Sequence, residues 1–333
     1  MKTEIDGSIG GGQVLRTALG LSCLFKKPFR ITNIRKNRPN PGLQEQHLQC
    51  ILAASKLSNA EVKGAYKGSQ EIYFSPQEIK NTSLEIKIST AGSVGLVLQS
   101  LLIIGFKYPL EIKIVGGATY GKWAPSVDFI DKVFCFWLRK IGMQIDIKVS
   151  KHGFYPKGDA LVEVKIIPKD KYESIFIEKI NQVKKFNLIA VASENLKKRD
   201  VLERMVKKAK DEIKKKFDLP VDIDMIYQKT SCDGCGLTIY TDTLEGVIGS
   251  SLCGEKGKTA EEVAKETIDM VLYDLAKNSL DRFTADQIIP YLALLKGKIR
   301  IPFITDHIRS NIEVVKKFIP AEFIIEENYI EVK

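Results

Sequence analysis

The sequence predicts an α/β (α+β) protein built from three repeated units, each a four-stranded sheet with two helices, plus a smaller α/β domain inserted into the third. Three observations carry this expectation. One order of elements recurs along the chain: strand, small-residue turn, apolar helix, strand, second helix, two strands. Apolar residues fall at helical spacing in the helices and alternate in several strands. The third unit is interrupted by a long stretch with strand and helix signals of its own.

Each element has a local reason. In the first unit Thr3–Ile5 reads as a strand, Gly10-Gly11-Gly12 as a turn, and an apolar helix starts at Gln13. A strand at 29–34, a helix at 43–57 and strands near 61–66 and 71–74 complete it. The second unit has a strand at 84–89, the turn Thr90-Ala91-Gly92-Ser93, a helix through 96–104 and a strand at 110–115. Ala124-Pro125-Ser126 opens its second helix, 127–141, where proline suits a first turn. A strand at 144–149 follows. The third unit is expected to open with a strand at 161–167 and to resume with a helix at 286–295, a strand at 298–303, a helix at 307–318 and strands at 322–325 and 329–332. The expected division is therefore a large domain of residues 1–175 and 279–333 and a small domain of residues 176–278.

Composition bounds the function. Hydrophobic residues make up 44% and charged residues 28% of 333, as in an ordinary globular chain. The net charge of +10 points to a polyanionic partner or to anionic substrates, without choosing between them. No apolar run is long enough to span a bilayer, and Met1–Asp6 does not resemble a signal peptide, so a cytoplasmic protein without membrane contact is expected. Of six cysteines only Cys232 and Cys235 have metal or redox spacing, and nothing nearby completes a four-ligand zinc site. A turn with two thiols is the simpler reading, with a disulfide between them as the alternative. Ten Lys or Arg lie between Lys197 and Lys216, a solvated helix face or a surface for phosphates.

The chemistry centres on Ile304–Phe318. Asp306 is expected to cap a helix whose apolar positions are Ile308, Ile312, Val315 and Phe318. His307 then sits where free N–H groups and the helix dipole favour an anion and disfavour imidazolium. A neutral ring there could attack phosphorus, but from this stretch alone a hydrogen-bonded surface histidine is the simpler reading. The Asp6–Gln13 loop brings glycines to a helix start, as for a phosphate, but lacks the Gly-Lys-Ser/Thr of a P-loop. Arg35 and Arg38 precede a Pro-Gly turn and a helix carrying Gln46 and His47, a spacing that suits phosphate or carboxylate oxygens or merely a charged turn. Gln99 is an amide inside an apolar helix and needs partners. Phe283, Thr284, Ala285, Asp286 and Gln287 open a helix at the place equivalent to the glycine loop, where they suit a base and ribose, or a simple cap.

Together these segments resemble the RNA 3′-terminal phosphate cyclase family over nearly the whole chain. The resemblance is carried by Ile5-Asp6-Gly7-Ser8 with Gly12-Gln13-Val14-Leu15-Arg16, by Arg35 to His47, by Gly92-Ser93 with Leu98-Gln99, and by Gly116 to Asp128. It continues through His152 to Gly158, Gly254 to Gly257, Ala285-Asp286-Gln287, and His307 with Asn311 and Val315. It implies the three-repeat fold with its insert. It also implies a ligase that uses ATP and a divalent metal (Mg or Mn), with RNA bearing a 3′-terminal phosphate as substrate. His307 would take AMP and release pyrophosphate; the RNA would then be adenylylated and close to a 2′,3′-cyclic phosphate, freeing AMP. Gln99, Pro125, Asp128 and Phe283–Gln287 would meet ATP, and Arg16, Arg35, Arg38, Gln46 and His47 the RNA or its phosphates. The glycine loop departs from the family pattern, lacking a glutamate and one further residue. The alternative function is a non-catalytic cyclase-like RNA-binding protein that assists ribosome assembly; such relatives lack the histidine that this chain has.

Overall fold

The computed structural model describes residues 3–8 and 10–333; Met1, Lys2 and the Ile9 position of the glycine loop lie outside the described residues. The first unit comprises β1 (Thr3–Asp6), α1 (Gly12–Phe25), β2 (Phe29–Thr32), α2 (Glu45–Ser58), β3 (Glu61–Lys63) and β4 (Ile72–Ser75). Its sheet order is β1-β2-β4-β3, with β1 parallel to β2 and the other pairs antiparallel. The second unit comprises β5 (Ser83–Ser93), α3 (Val94–Gly105), β6 (Leu110–Ala118), α4 (Val127–Phe129), a π-helical stretch (Ile130–Phe134), α5 (Cys135–Lys140), β7 (Gln144–Lys151) and β8 (Leu161–Ile167). It repeats the order as β5-β6-β8-β7.

This arrangement corrects one expectation. Leu161–Ile167 does not open the third unit. It pairs with β6 and β7 and completes the second sheet, its alternating side chains reading as a strand without revealing which sheet it joins. The third unit opens instead at β9 (Ile175–Ile177), which runs past the expected boundary at 175. Three residues were too short a signal to find from the sequence.

Between β9 and the rest of its unit come β10 (Val183–Ser193), α6 (Val201–Lys214), β11 (Val221–Gln228), β12 (Cys235–Thr243), β13 (Val247–Cys253) and α7 (Ala260–Ala276), whose strands form a separate sheet ordered β11-β10-β12-β13. The long basic helix expected here is divided: a 3-10 segment, Glu194–Arg199, precedes α6, with Asp200 in the left-handed conformation between them. The third unit resumes with α8 (Arg282–Gln287), α9 (Ile289–Leu295), β14 (Gly297–Arg300), α10 (Asp306–Phe318), β15 (Phe323–Ile325) and β16 (Tyr329–Val332). β9 pairs parallel to β14, giving β15-β16-β14-β9, the same pattern a third time. The mixed α/β architecture with four four-stranded sheets is thus the one the sequence predicts.

The main core is an apolar cluster shared by the repeats and the inserted sheet, with a smaller one of Tyr120, Phe154, Ile189 and Val191 beside it. α1 lies at its centre, packed on α2, α3 and α10, and is buried along almost its whole length. The inserted sheet is tied on by hydrogen bonds. Trp137 Nε1 donates to the Val247 carbonyl (2.8 Å), and the Thr238 hydroxyl meets Tyr120 Oη and Ser126 Oγ, both at 2.9 Å. Among the described residues no helix is long and apolar enough to cross a membrane.

The α1–α3 contact depends on Gly20, where a Cβ would fall 2.7 Å from Ile103 Cβ. Gly20→Ala should therefore lower unfolding stability by about 1–3 kcal/mol, although alanine is the better helix former. Urea titration checks this, and a stabilised variant would show that the two helices are not in such close contact.

Candidate active site

Helix starts from all three units meet the rim of the inserted sheet in a cleft of about 430 Å³. Gln13 and Arg16 come from α1, Leu96 and Gln99 from α3, Phe283, Asp286 and Gln287 from α8, and His307 from α10. The loop from Gly121 to Pro125 and the stretch from Ser251 through Lys258 close it from the other side.

α1 begins without a side-chain cap. Gly11 precedes it at φ 58°, and no side chain accepts from the first turn. Its leading N–H groups therefore keep their affinity for an anion. Gly12 is required by a close approach: a Cβ there would lie 2.3 Å from His47 Nε2. His47 is buried, and its Nδ1 accepts from the Gln44 N–H at 3.0 Å, which leaves the proton on Nε2, facing α1. Burial, with Arg16 and Arg35 nearby, pushes its pKa down to about 3, so the ring is neutral.

Arg16 is the unusual group. It is only 7% exposed, yet its guanidinium is held by two neutral amide oxygens, Gln99 Oε1 at 2.7 Å and Gln13 Oε1 at 2.9 Å. Among the described residues no carboxylate pairs with it. Burial lowers its pKa to about 10, so it stays charged at neutral pH. A buried cation facing an uncapped helix start calls for an anion between them.

His307 sits in the first turn of α10. Thr305, not Asp306, is the cap: its Oγ1 accepts from the Ile308 N–H at 3.0 Å. Threonine and aspartate are both capping residues, and the sequence did not distinguish a start at 305 from one at 306. The correction leaves His307 at the helix start. Its pKa is lowered by burial first and then by the charges of Arg16 and Arg38, against a weaker opposing effect of Asp306. The imidazole is thus held neutral beside two cations. Asn311, fully buried one turn later, fixes the helix: its Nδ2 donates to the Asp286 carbonyl and its Oδ1 accepts from Thr17 Oγ1, both at 2.7 Å.

The α8 stretch divides between roles. Asp281 caps the helix, its Oδ1 accepting from the N–H groups of Phe283 (3.1 Å) and Thr284 (2.8 Å). Phe283 reaches the cleft with its ring edge-on to Phe129. Gln287 donates to the Phe283 carbonyl at 3.2 Å, while its buried Oε1 has no partner. Asp286 accepts from the Thr305 hydroxyl, and burial raises its pKa to about 7.

A family model described as RNA 3′-terminal phosphate cyclase matches residues 8–325. Proteins of that description from Pyrococcus furiosus and Saccharolobus islandicus are 41% and 36% identical to this chain, covering 96% and 95% of it and 94% of their own lengths. One from Pyrobaculum aerophilum is 36% identical over 97% of the chain and 94% of its own length. The chain belongs to the RNA 3′-terminal phosphate cyclase family.

The cyclase fold brings Arg16, Gln99, Pro125, Phe283, Asp286, Gln287 and His307 to one cleft. Arg38 approaches the glycine loop, 3.5 Å from where a Cβ on Gly11 would stand. Arg35 turns into its own loop, where Nη1 donates to the carbonyls of Asn40 (2.7 Å) and Gly42 (2.9 Å). His47 lies beside α1 and Gln46 beside Gly92, neither on the cleft wall, and Thr284 and Ala285 are buried behind it. Asp128 is also outside the wall; its Oδ2 is sealed from solvent without a partner, and burial raises its pKa. Cys232 and Cys235 are free thiols, Cys232 directed at the Phe154 carbonyl. Sequence reasoning missed the cleft residues Cys253 and Lys258, which no local pattern marks, and gave no role to Lys122, Trp123 and Glu255, which lie within the matched stretches Gly116–Asp128 and Gly254–Gly257. Gln13 and Asn311 were visible as motif positions but had no assigned contact.

Asp281 and Asp286 both have pKa values raised to about 7, chiefly by burial, from an ordinary value of 3.8. Between those limits the folded protein binds more protons than the unfolded chain, so this contribution to stability falls as pH rises from about 4 to 7. Asp286→Asn should gain on the native protein by roughly 2 kcal/mol or more between pH 4.5 and 7.5 in urea titrations. A difference that does not change with pH would place the Asp286 carboxyl in an unshifted environment.

Proposed function

We propose that this protein converts the 3′-terminal phosphate of RNA to a 2′,3′-cyclic phosphate at the expense of ATP, through a histidine–AMP intermediate. Family membership supports the overall reaction. The mechanism is supported most by one observation: the neutral imidazole of His307 shares a cleft with the buried, carboxylate-free guanidinium of Arg16.

In this reading an unprotonated ring nitrogen of His307 attacks the α-phosphorus of ATP. The N–P bond forms as the P–O bond to pyrophosphate breaks, and pyrophosphate leaves with the electron pair. Arg16 and the uncapped start of α1 are suited to the negative charge that develops on the phosphates. An oxygen of the RNA 3′-phosphate then takes the AMP, breaking the N–P bond and restoring the imidazole. Finally the vicinal 2′-hydroxyl attacks the activated 3′-phosphorus, loses its proton, and expels AMP.

Phe283 and Pro125 offer apolar faces for the adenine, and the unpartnered Oε1 of Gln287 is an acceptor suited to an exocyclic amine. Asp286, bonded to Thr305, is the carboxyl available to a ribose hydroxyl. Asp128, Thr284 and Ala285 support this region from behind. A divalent ion, Mg or Mn, would travel with the triphosphate and neutralise charge as pyrophosphate departs. The described residues gather no group of three His, Cys, Asp or Glu side chains into a cage, so the proposal assigns the ion to phosphate oxygens. Arg38 and His47 flank the glycine loop and, with Gln46 on the same helix as His47, suit the RNA end, while Arg35 holds the loop that carries Arg38. The presence of His307 favours this activity over a purely RNA-binding role in ribosome assembly. The work of an RNA-processing ligase of this kind is cytoplasmic in our reading.

With labelled ATP, the native protein should acquire acid-labile bound AMP, and His307→Asn should lose it by at least a hundredfold while unfolding at an unchanged urea concentration. Label retained by the variant would move the nucleophile to another residue. Arg38→Ala should weaken RNA binding and reduce the slope of log affinity against log salt by about 0.7, the value for one contact to a single strand. An unchanged slope would leave Arg38 without a phosphate partner.

A further inference from the structure

The loop from Gly121 to Ala124 carries a feature that the reaction above does not use. Gly121 and Ala124 form an isolated antiparallel bridge, so Lys122 and Trp123 are the two residues at its tip. Trp123 is 91% exposed and stands at φ 58°, the left-handed region that a bulky L residue avoids. An indole so exposed gains nothing from the core, and its backbone conformation is unfavourable, so folding does not explain the residue. The other exposed aromatic side chains among the described residues, Phe25, Tyr66, Tyr155, Phe176 and Tyr273, do not line the cleft, whereas Trp123 lines it together with His307.

The indole is also oriented. Lys122 Nζ lies 4.8 Å from its ring centroid and is itself held by Glu255 Oε2 at 2.6 Å, across from the inserted sheet. The ammonium covers one face of the ring, and the exposure of the residue leaves the opposite face to solvent. A flat aromatic face, pre-oriented at the mouth of a cleft, is matched by another flat aromatic surface.

We propose that Trp123 is a stacking platform for a base of the single-stranded RNA, next to the 3′ end that enters the cleft. The proposal rests on the reading of RNA as substrate and adds a residue that selects for an unpaired, stackable end. The adenine of ATP is the competing occupant, but it already has Phe283, half-buried against Phe129 inside the cleft. Trp123 lies on the rim, where a polymer must pass. Its stacking tolerates any base, which suits a protein acting on ends of varied sequence. An RNA whose 3′ end is locked in a duplex cannot offer a base to the indole without unpairing.

The chain has two tryptophans, and the other, Trp137, is buried with its Nε1 bonded to the Val247 carbonyl. Titration of the native protein with a 3′-phosphorylated oligoribonucleotide should therefore quench the exposed component of tryptophan emission. An oligonucleotide abasic at its last two positions should quench it far less. Trp123→Ala should bind the RNA roughly tenfold more weakly, and Trp123→Phe should recover most of that loss. In steady-state assays the KM for RNA should rise about tenfold in Trp123→Ala while the KM for ATP moves less than twofold. RNA affinity within twofold of native, or a change falling on the KM for ATP instead, overturns the platform. The binding titration needs no turnover. A native protein that quenches with RNA but never cyclises it would sink the reaction and leave the platform standing.

Discussion

A buried guanidinium without a carboxylate is the constraint around which the cleft is built. Arg16 enters from α1, the central helix of the main apolar cluster, and the packing of the described residues leaves it two amide oxygens and no opposite charge. An ion pair would have stabilised the empty fold more fully and closed the site to anions. The amide oxygens of Gln13 and Gln99 orient the fork without neutralising it, so the full charge is kept for a ligand. The same positive field, with Arg38, adds to burial in lowering the pKa of His307. One cation without a carboxylate partner thus shapes both the charge of the cleft and, together with burial, the protonation of His307.

The repeat explains how such a group can be placed. Each unit feeds a strand into a helix through a short turn, and the three sheets share one strand order. Helix starts from separate units then converge on one cleft, where free N–H groups and short polar side chains are abundant. The inserted sheet adds what the repeat lacks, a second wall bearing Cys253, Glu255 and Lys258. The cleft is therefore assembled from parts distant in the chain, on both sides of the insert.

This division also explains what could be read from the sequence. Helix starts are local events, so the positions of His307 and of the Phe283–Gln287 stretch were legible from spacing and capping chemistry, even though Thr305 replaced Asp306 as the cap, and Gln99 stood out as an amide inside an apolar helix. Sheet membership is not local. Leu161–Ile167 alternates correctly as a strand, but only its pairing with β6 and β7 shows that it closes the second sheet. Contacts across the insert were illegible for the same reason: nothing near Lys122 in sequence indicates Glu255. Arg35 shows a subtler limit, since its spacing suits an anion, yet a left-handed backbone at φ 54° turns its guanidinium onto carbonyls of its own loop.

Asn311 has a consequence for how His307 is aimed. Its side chain reads a donor on one helix and an acceptor on another, through opposite ends of a single amide. A carboxylate of the same shape could satisfy Thr17 but would face the Asp286 carbonyl with a second acceptor, and an alanine would leave both groups bare. The position therefore works as a keyed joint. α10 has one rotational setting in which both bonds form, and a turn by one residue breaks both and swings His307 about 100° away from Arg16. The direction in which the imidazole points is encoded four residues away, in which end of an amide faces which helix.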